Sequence, residues 1–140
     1  MTNEAILELC HLYYDEKTYK HAIRVAEKTK ELALLFAISA NYTKLLYTLA
    51  LAHDLYEDTD IKRGVWFESN FELNLSLLTK EKDEDYIEYI KKIKDKATKD
   101  PYFFPAYIVK IADIWDHFNE KETLTDKLKN KYCEAITYLL

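Results

Sequence analysis

The chain has 140 residues, of which 49% are hydrophobic and 32% are charged, and its formal net charge is −5. This length is the size of one domain, so we predict a single domain over residues 1–140. Only one glycine and two prolines are present, which disfavours sheets with tight hairpins and favours helices. The basic residues are scattered along the chain, which argues against a broad basic face that binds nucleic acid.

The cysteines and the N-terminal segment indicate a cytoplasmic protein. Cys10 and Cys133 lie near opposite ends without zinc-ligand spacing, so we expect two half-buried thiols in a reducing compartment. The N-terminal stretch MTNEAILELC has no basic segment, unlike a signal peptide. No apolar run approaches the ~20 residues that a spanning helix needs. We therefore expect neither a membrane nor a nucleic-acid partner, and the sequence does not specify an oligomeric state.

Helical periodicity dominates the chain, with apolar residues recurring three and four positions apart. Polar N-cap residues and prolines mark where helices begin. The first predicted helix covers 4–14 with Thr2 or Asn3 as its cap, the second runs from a Thr18 cap to about Ala40, and the third begins at an Asn41 cap and ends at the breaker segment 59–64. A short helix or turn at 65–69 and helices at 71–78 and 84–97 follow. Asp100 caps the next helix, which has Pro101 first and Pro105 in or near its first turn, and Thr123 or Thr125 caps the last, at 124–139. These elements predict an all-α domain.

An acid-rich cluster follows the apolar part of the third predicted helix, in LALAHDLYEDTD (49–60). On a continuous helix, His53 would stack on Glu57, and Asp54 would lie over Glu57 and Asp58. No lysine or arginine lies inside the segment to balance the acids. The cluster therefore predicts either an ordinary helix end with solvated acids or a site for a divalent cation, since carboxylates and imidazole suit Mn, Fe, Zn or Mg.

Two further candidate ligands lie elsewhere in the chain. His21 is near the start of the second predicted helix, where a histidine that hydrogen-bonds to the backbone is the alternative to a metal ligand. Asp113 lies among apolar neighbours in VKIADIWDH. Because unpaired buried acids are rare, we expect Asp113 either to bind a cation or to pair with Lys110 or His117.

The order of these residues, a histidine, a His-Asp pair and a distant aspartate, resembles that of the HD-domain phosphohydrolases. In particular it resembles the (p)ppGpp hydrolase domain of the RelA/SpoT proteins and their small stand-alone homologues. The matching stretches are HAIRVAEKT (21–29), ALAHDLYEDTD (50–60), LLTKEKDEDYIEYIKKI (77–93) and AYIVKIADIWDH (106–117). With the helix order they cover nearly the whole chain, and the resemblance implies an HD-type helical bundle.

The resemblance also implies roles for individual residues. The ligands of one Mn²⁺, or of another divalent cation, would be His21, His53, Asp54 and Asp113. Glu57 and Asp58 would orient or deprotonate the attacking water. The reaction would remove pyrophosphate from the 3′ side of (p)ppGpp and leave GDP or GTP. The cations that would neutralise this substrate, unless they are ordinary solvated surface residues, are Lys20, Arg24, Lys80, Lys82 and Lys110.

Two departures from the family pattern affect base recognition. The Arg-Lys pair that precedes the first histidine in the family is replaced by YYDEKTYKH (13–21), and His117 occupies the place of an asparagine expected near the ribose or the phosphates. The metal set therefore matches the family better than the base-recognition set does. We expect hydrolysis of (p)ppGpp. The alternatives are hydrolysis of another small nucleotide (a dNTP, a nucleoside monophosphate or a cyclic nucleotide) and non-catalytic nucleotide binding.

Overall fold

Helices make up most of the structure. The computed structural model describes residues 2–140, and no β-strand occurs among them. Residues 2–140 form seven helices of ten residues or more and one single-turn helix, which are α1 Asn3–Tyr13, α2 Glu16–Leu35, α3 Ala40–Ala52, α4 Leu55–Asp58, α5 Ser69–Leu78, α6 Tyr86–Lys99, α7 Phe104–Asn119 and α8 Asp126–Leu139. The predicted all-α single domain is confirmed.

Three predicted N-caps are present. The side chain of Thr2 accepts a hydrogen bond from a backbone amide in the first turn of α1, and Thr125 does the same for α8. Asp100 caps a 3₁₀ turn, Pro101–Phe103, that leads directly into α7. These caps satisfy backbone donors that the first helical turn leaves without partners.

Two other predicted caps are wrong. Helix α2 begins earlier than predicted because Asp15, not Thr18, is the N-cap, and its side chain accepts the backbone amide of Thr18. Ser39, rather than Asn41, caps α3. In both cases the true cap lies two or three residues before the predicted one, where another capping residue type was available in the sequence.

Helix α2 ends at Leu35 rather than near Ala40, through a left-handed residue. Ala37 has φ +54°, and the amide of Ile38 donates to the carbonyl of Ala33 at 3.0 Å. This is the Schellman arrangement, which usually has glycine at the left-handed position. The absence of glycine there removed the sequence signal for the helix end.

Helices α2, α3 and α7 pack against one another at the centre of the domain. Helix α1 covers α3, while α6 and α8 pack on α7 and on each other. No helix in residues 2–140 is both long and apolar enough to cross a membrane. The expectation of two half-buried thiols is wrong, because Cys10 is fully buried and Cys133 is exposed; both are free.

Candidate metal centre

Four predicted site residues come together between the central helices. His21 lies on α2, Asp113 lies on α7, and His53 and Asp54 follow the end of α3. The side chains of His21, His53 and Asp113 are buried, and one ligand atom from each lies within 4.8 Å of the others. The carboxylate of Asp54 borders this group, with Oδ2 3.6 Å from His21 Nε2. Two imidazoles and a carboxylate in this arrangement could bind a metal ion.

The acidic segment does not lie on one continuous helix. Helix α3 ends at Ala52, Asp54 has φ −97° and ψ 0°, and α4 begins at Leu55. The predicted stacking of His53 on Glu57 along a single helix is therefore wrong. Because of the break, His53 is buried while Glu57 lines the adjacent cavity.

The main chain sets the tautomer of neutral His53. Its Nδ1 lies 2.6 Å from the carbonyl oxygen of Ala50, which can only accept a hydrogen bond. Nδ1 therefore carries the proton, and the lone pair of the neutral ring is on Nε2. This Nε2 is buried and makes no hydrogen bond within residues 2–140, although it lies 3.2 Å from Asp54 Oδ2 and 3.3 Å from Asp113 Oδ1. A cation held between this nitrogen and the carboxylates would satisfy it.

Asp113 is surrounded by nitrogen atoms. Its Oδ1 lies 2.9 Å from His21 Nε2 and 3.3 Å from His117 Nε2, and its Oδ2 accepts from Lys110 Nζ at 2.7 Å. Burial alone would raise the pKa of Asp113, but Lys110 and His53 hold it well below its usual range. The two pairings expected as the alternative to a metal site are therefore present, together with the contacts to the candidate ligands.

Both ring nitrogens of His21 face carboxylates, so the alternative of a backbone-bonded histidine is wrong. Nδ1 lies 2.7 Å from Asp116 Oδ2, and Nε2 lies 2.9 Å from Asp113 Oδ1. Burial alone would lower the pKa of His21, but the hydrogen bonds to Asp113 and Asp116 raise it to about 9. Asp116 was not among the residues that the sequence pattern indicated, because its partner lies 95 positions away in the chain.

A cavity of about 730 Å³ opens beside this group. His21, Asp54 and Asp113 form part of its wall, and both predicted catalytic acids, Glu57 and Asp58, also line it. Although the two acids are exposed to the cavity, the surrounding protein partly desolvates them and raises the pKa of each. The cavity thus brings candidate proton carriers to the same space as the candidate metal ligands.

The six residues predicted to bind substrate divide into two groups. Those that line the cavity are Lys80, Lys110 and His117. Those that do not line it are Lys20, Arg24 and Lys82. Lys20 Nζ instead lies 3.0 Å from Glu16 on the exposed side of α2, and the guanidinium of Arg24 pairs with Asp116 and Glu120. Arg24 is therefore not a free cation for a ligand in this cavity.

Helix α8 contributes three cavity residues that the sequence did not indicate, Leu128, Lys131 and Tyr132. Lys131 Nζ lies 4.1 Å from the ring centroid of Tyr86, and the ring of Tyr132 stacks on His117 with centroids 4.8 Å apart. No ion pair within residues 2–140 involves Lys131, and burial and the charge of Lys110 lower its pKa. The sequence holds no local signal for these roles, since the packing of α8 against α7 creates them.

No family model matches this chain. No curated protein matches it either. The geometry of the cavity and the resemblance in the sequence are therefore the observations that bear on its function.

Proposed function

We propose that this chain is a metal-dependent phosphohydrolase of the HD type that acts on a small nucleotide, with (p)ppGpp as the first candidate substrate. The observation that carries the proposal is the buried group of His21, His53 and Asp113, whose ligand atoms lie within 4.8 Å of one another beside a cavity. The order of these residues along the chain is that of the family described above. The proposed reaction releases pyrophosphate from the 3′ side of the substrate and leaves GDP or GTP.

The donor set fits a divalent cation. The atoms that would hold it are Nε2 of His21, Nε2 of His53 and Oδ1 of Asp113, with the carboxylate of Asp54 adjacent. Mixed nitrogen and oxygen ligands suit Mn²⁺, Fe²⁺ or Zn²⁺, and we propose Mn²⁺. When bound, such a cation supplies Lewis-acid polarisation of a phosphoryl oxygen and lowers the pKa of water.

Glu57 and Asp58 are the proposed proton carriers. Both line the cavity, and both have a raised pKa because the surrounding protein desolvates them. A carboxylate with a pKa closer to neutrality is a better general base at neutral pH than a solvated one. Glu57 is the more constrained of the two, since its Oε1 accepts a hydrogen bond from the backbone amide of Lys80. We therefore assign to Glu57 the role of accepting the proton from the attacking water.

Four lysines line the cavity, and they favour a ligand with several negative charges. One of them is Lys17 on α2, and the other three come from elsewhere in the chain. Lys80 precedes α6, Lys110 lies on α7, and Lys131 lies on α8, and all three line the cavity. The charge of Lys110 is balanced by Asp113 at 2.7 Å, whereas neither Lys80 nor Lys131 has a carboxylate partner in residues 2–140. Two cations without counter-ions next to a metal group suit a phosphorylated ligand that extends beyond the metal.

The test is product analysis of chelator-treated protein supplied with Mn²⁺ and a panel of ppGpp, GTP, dNTPs and cyclic nucleotides. We expect GDP and pyrophosphate from ppGpp. Glu57→Gln should lower kcat by about 100-fold or more, the usual contribution of a general base, with Mn²⁺ affinity retained. Glu8→Gln, on the exposed face of α1, is the matched control and should retain full activity.

The other outcomes discriminate among the alternatives. Turnover of a different nucleotide would keep the metal-dependent hydrolase and replace its substrate. Mn²⁺ binding without turnover of any nucleotide would refute the enzyme and leave a binding protein. Lys131→Ala should raise KM more than it lowers kcat, and an unchanged KM would remove the lysine from the substrate site.

A further inference from the structure

Asp116 links the metal group to the surface of the domain. It lies on α7 one turn after Asp113, and its side chain is buried. Its Oδ2 lies 2.7 Å from Nδ1 of His21, on the side of the ring opposite to Asp113. The same carboxylate accepts from Nε of Arg24 at 2.9 Å through Oδ1 and from Nη2 at 3.0 Å through Oδ2. One carboxylate therefore holds a candidate ligand and an arginine simultaneously.

A carboxylate at this place determines which nitrogen of neutral His21 is free. In the proposed site Asp113 would share the cation with Nε2, so Asp116 is the carboxylate left to accept the single proton of the neutral ring. That proton is then on Nδ1, and the lone pair is on Nε2. Nε2 is the nitrogen that faces Asp113 and Asp54. A carboxylate bonded to the far nitrogen of a metal-ligating histidine also fixes the ring orientation and increases its basicity.

Arg24 prevents this carboxylate from turning away. Its guanidinium donates to both oxygens of Asp116 and, through Nη2, to Glu120. His21, Asp116 and Glu120 also lie close enough to resemble a second metal group, but the guanidinium of Arg24 already pairs with both carboxylates, and its positive charge opposes a cation there. The arginine acts in this place as a fixed counter-ion.

We infer that Asp116 is a positioning residue, which holds His21 with Nε2 ready for the cation, and that Arg24 holds Asp116 in place. This inference rests on the proposed metal site. It predicts that the pair affects metal affinity without touching the metal. An ion pair that only stabilised the fold would leave the affinity of the folded protein unchanged.

The first test is the Mn²⁺ affinity of Asp116→Asn, measured by isothermal titration calorimetry. Loss of such a supporting carboxylate typically lowers metal affinity 10- to 100-fold, and we expect a decrease of that size. The control is Asp95→Asn, which makes the same chemical change in an exposed pair with Lys99 on α6 and should bind Mn²⁺ like the wild type. Thermal unfolding in chelator establishes that each variant is folded before the titration.

The second test uses Arg24→Ala in the Asp116→Asn background. Because Arg24 donates to both oxygens, an amide at position 116 places its NH₂ group against a donor in either orientation. Removing Arg24 frees the amide to turn its oxygen towards His21 Nδ1. The double variant should therefore bind Mn²⁺ several-fold more tightly than Asp116→Asn alone, which a purely structural role does not predict.

Each result has a distinct meaning. Three results would each overturn the positioning role while leaving the metal site in place. They are wild-type Mn²⁺ affinity in Asp116→Asn, an equal loss of Mn²⁺ affinity in Asp95→Asn, and no recovery of Mn²⁺ affinity in the double variant. If the wild type itself binds no divalent cation, the proposed function and this inference both fail. Mn²⁺ binding with the expected losses, but without hydrolysis of any nucleotide, would refute only the proposed function.

Discussion

Breaking the buried pair of Lys110 and Asp113 by removing the lysine should strongly destabilise the fold. Lys110 is 8% exposed and Asp113 is 4% exposed, and Nζ lies 2.7 Å from Oδ2. Lys110→Met keeps most of the side-chain volume but removes the charge. It leaves Asp113 buried with its Oδ2 unpaired, since the histidines that remain near it contact Oδ1.

The expected size follows from this geometry. Removing one partner of a buried pair typically costs about 3–5 kcal/mol. Because His21 and His53 still face Asp113 Oδ1 at 2.9 and 3.3 Å, we expect the lower end, a loss of about 3 kcal/mol in the free energy of unfolding. In a chain of 140 residues this corresponds to a decrease in Tm of roughly 10 °C.

Urea unfolding followed by circular dichroism, in chelator, measures this difference directly. Lys99→Met is the control, because Lys99 pairs with Asp95 on the exposed face of α6, and such pairs contribute about 1 kcal/mol or less. Adding Asp113→Asn to Lys110→Met should cost less than Asp113→Asn costs alone, since the uncompensated charge is then gone. A loss below about 1 kcal/mol in Lys110→Met, or equal losses in the two lysine variants, would refute the reasoning.

Further predictions concern the metal group, the thiols and the end of α2. His53→Ala should lower Mn²⁺ content at least tenfold while the chain stays helical; unchanged metal by elemental analysis would exclude His53 as a ligand. A thiol reagent at pH 8 should modify Cys133 alone in the native protein, since Cys10 is buried and burial raises its pKa to about 12; two fast-reacting thiols in the folded state would contradict this. Ala37→Gly should increase the free energy of unfolding by about 0.5–1 kcal/mol, because glycine adopts positive φ without strain. Urea unfolding measures this free energy, and a lower value in the variant would show that the left-handed turn is not strained.

The fold could be predicted from the sequence wherever the signal is local. Caps such as Thr125 and Asp100 are recognisable because a polar side chain precedes an apolar periodic segment. The end of α2 could not be predicted, since Ala37 adopts the conformation of a glycine. The break after Ala52 was equally hidden, because the residues that follow continue the helical pattern of apolar positions although the backbone does not.

The candidate site was predictable in part for the same reason. His53 is marked by its place in a compact acidic motif, and Asp113 by a charge among apolar neighbours. Asp116 and Lys131 acquire their surroundings only when helices distant in the chain pack together. Arg24 shows most clearly what the sequence could not predict. The charge of Arg24 suggested a substrate contact, but Asp116 on α7 and Glu120 at the end of α7 already pair with its guanidinium.

The two buried histidines differ in what orients them. His53 is held by the main-chain carbonyl of Ala50, whereas His21 is held by the side chain of Asp116. No substitution deletes a carbonyl, but a single codon change alters position 116. Substitutions at Asp116 and Arg24 should therefore change the affinity for the proposed cation while every proposed ligand remains. In the proposed metal site, the same asymmetry makes position 116 the natural starting point for engineering metal affinity.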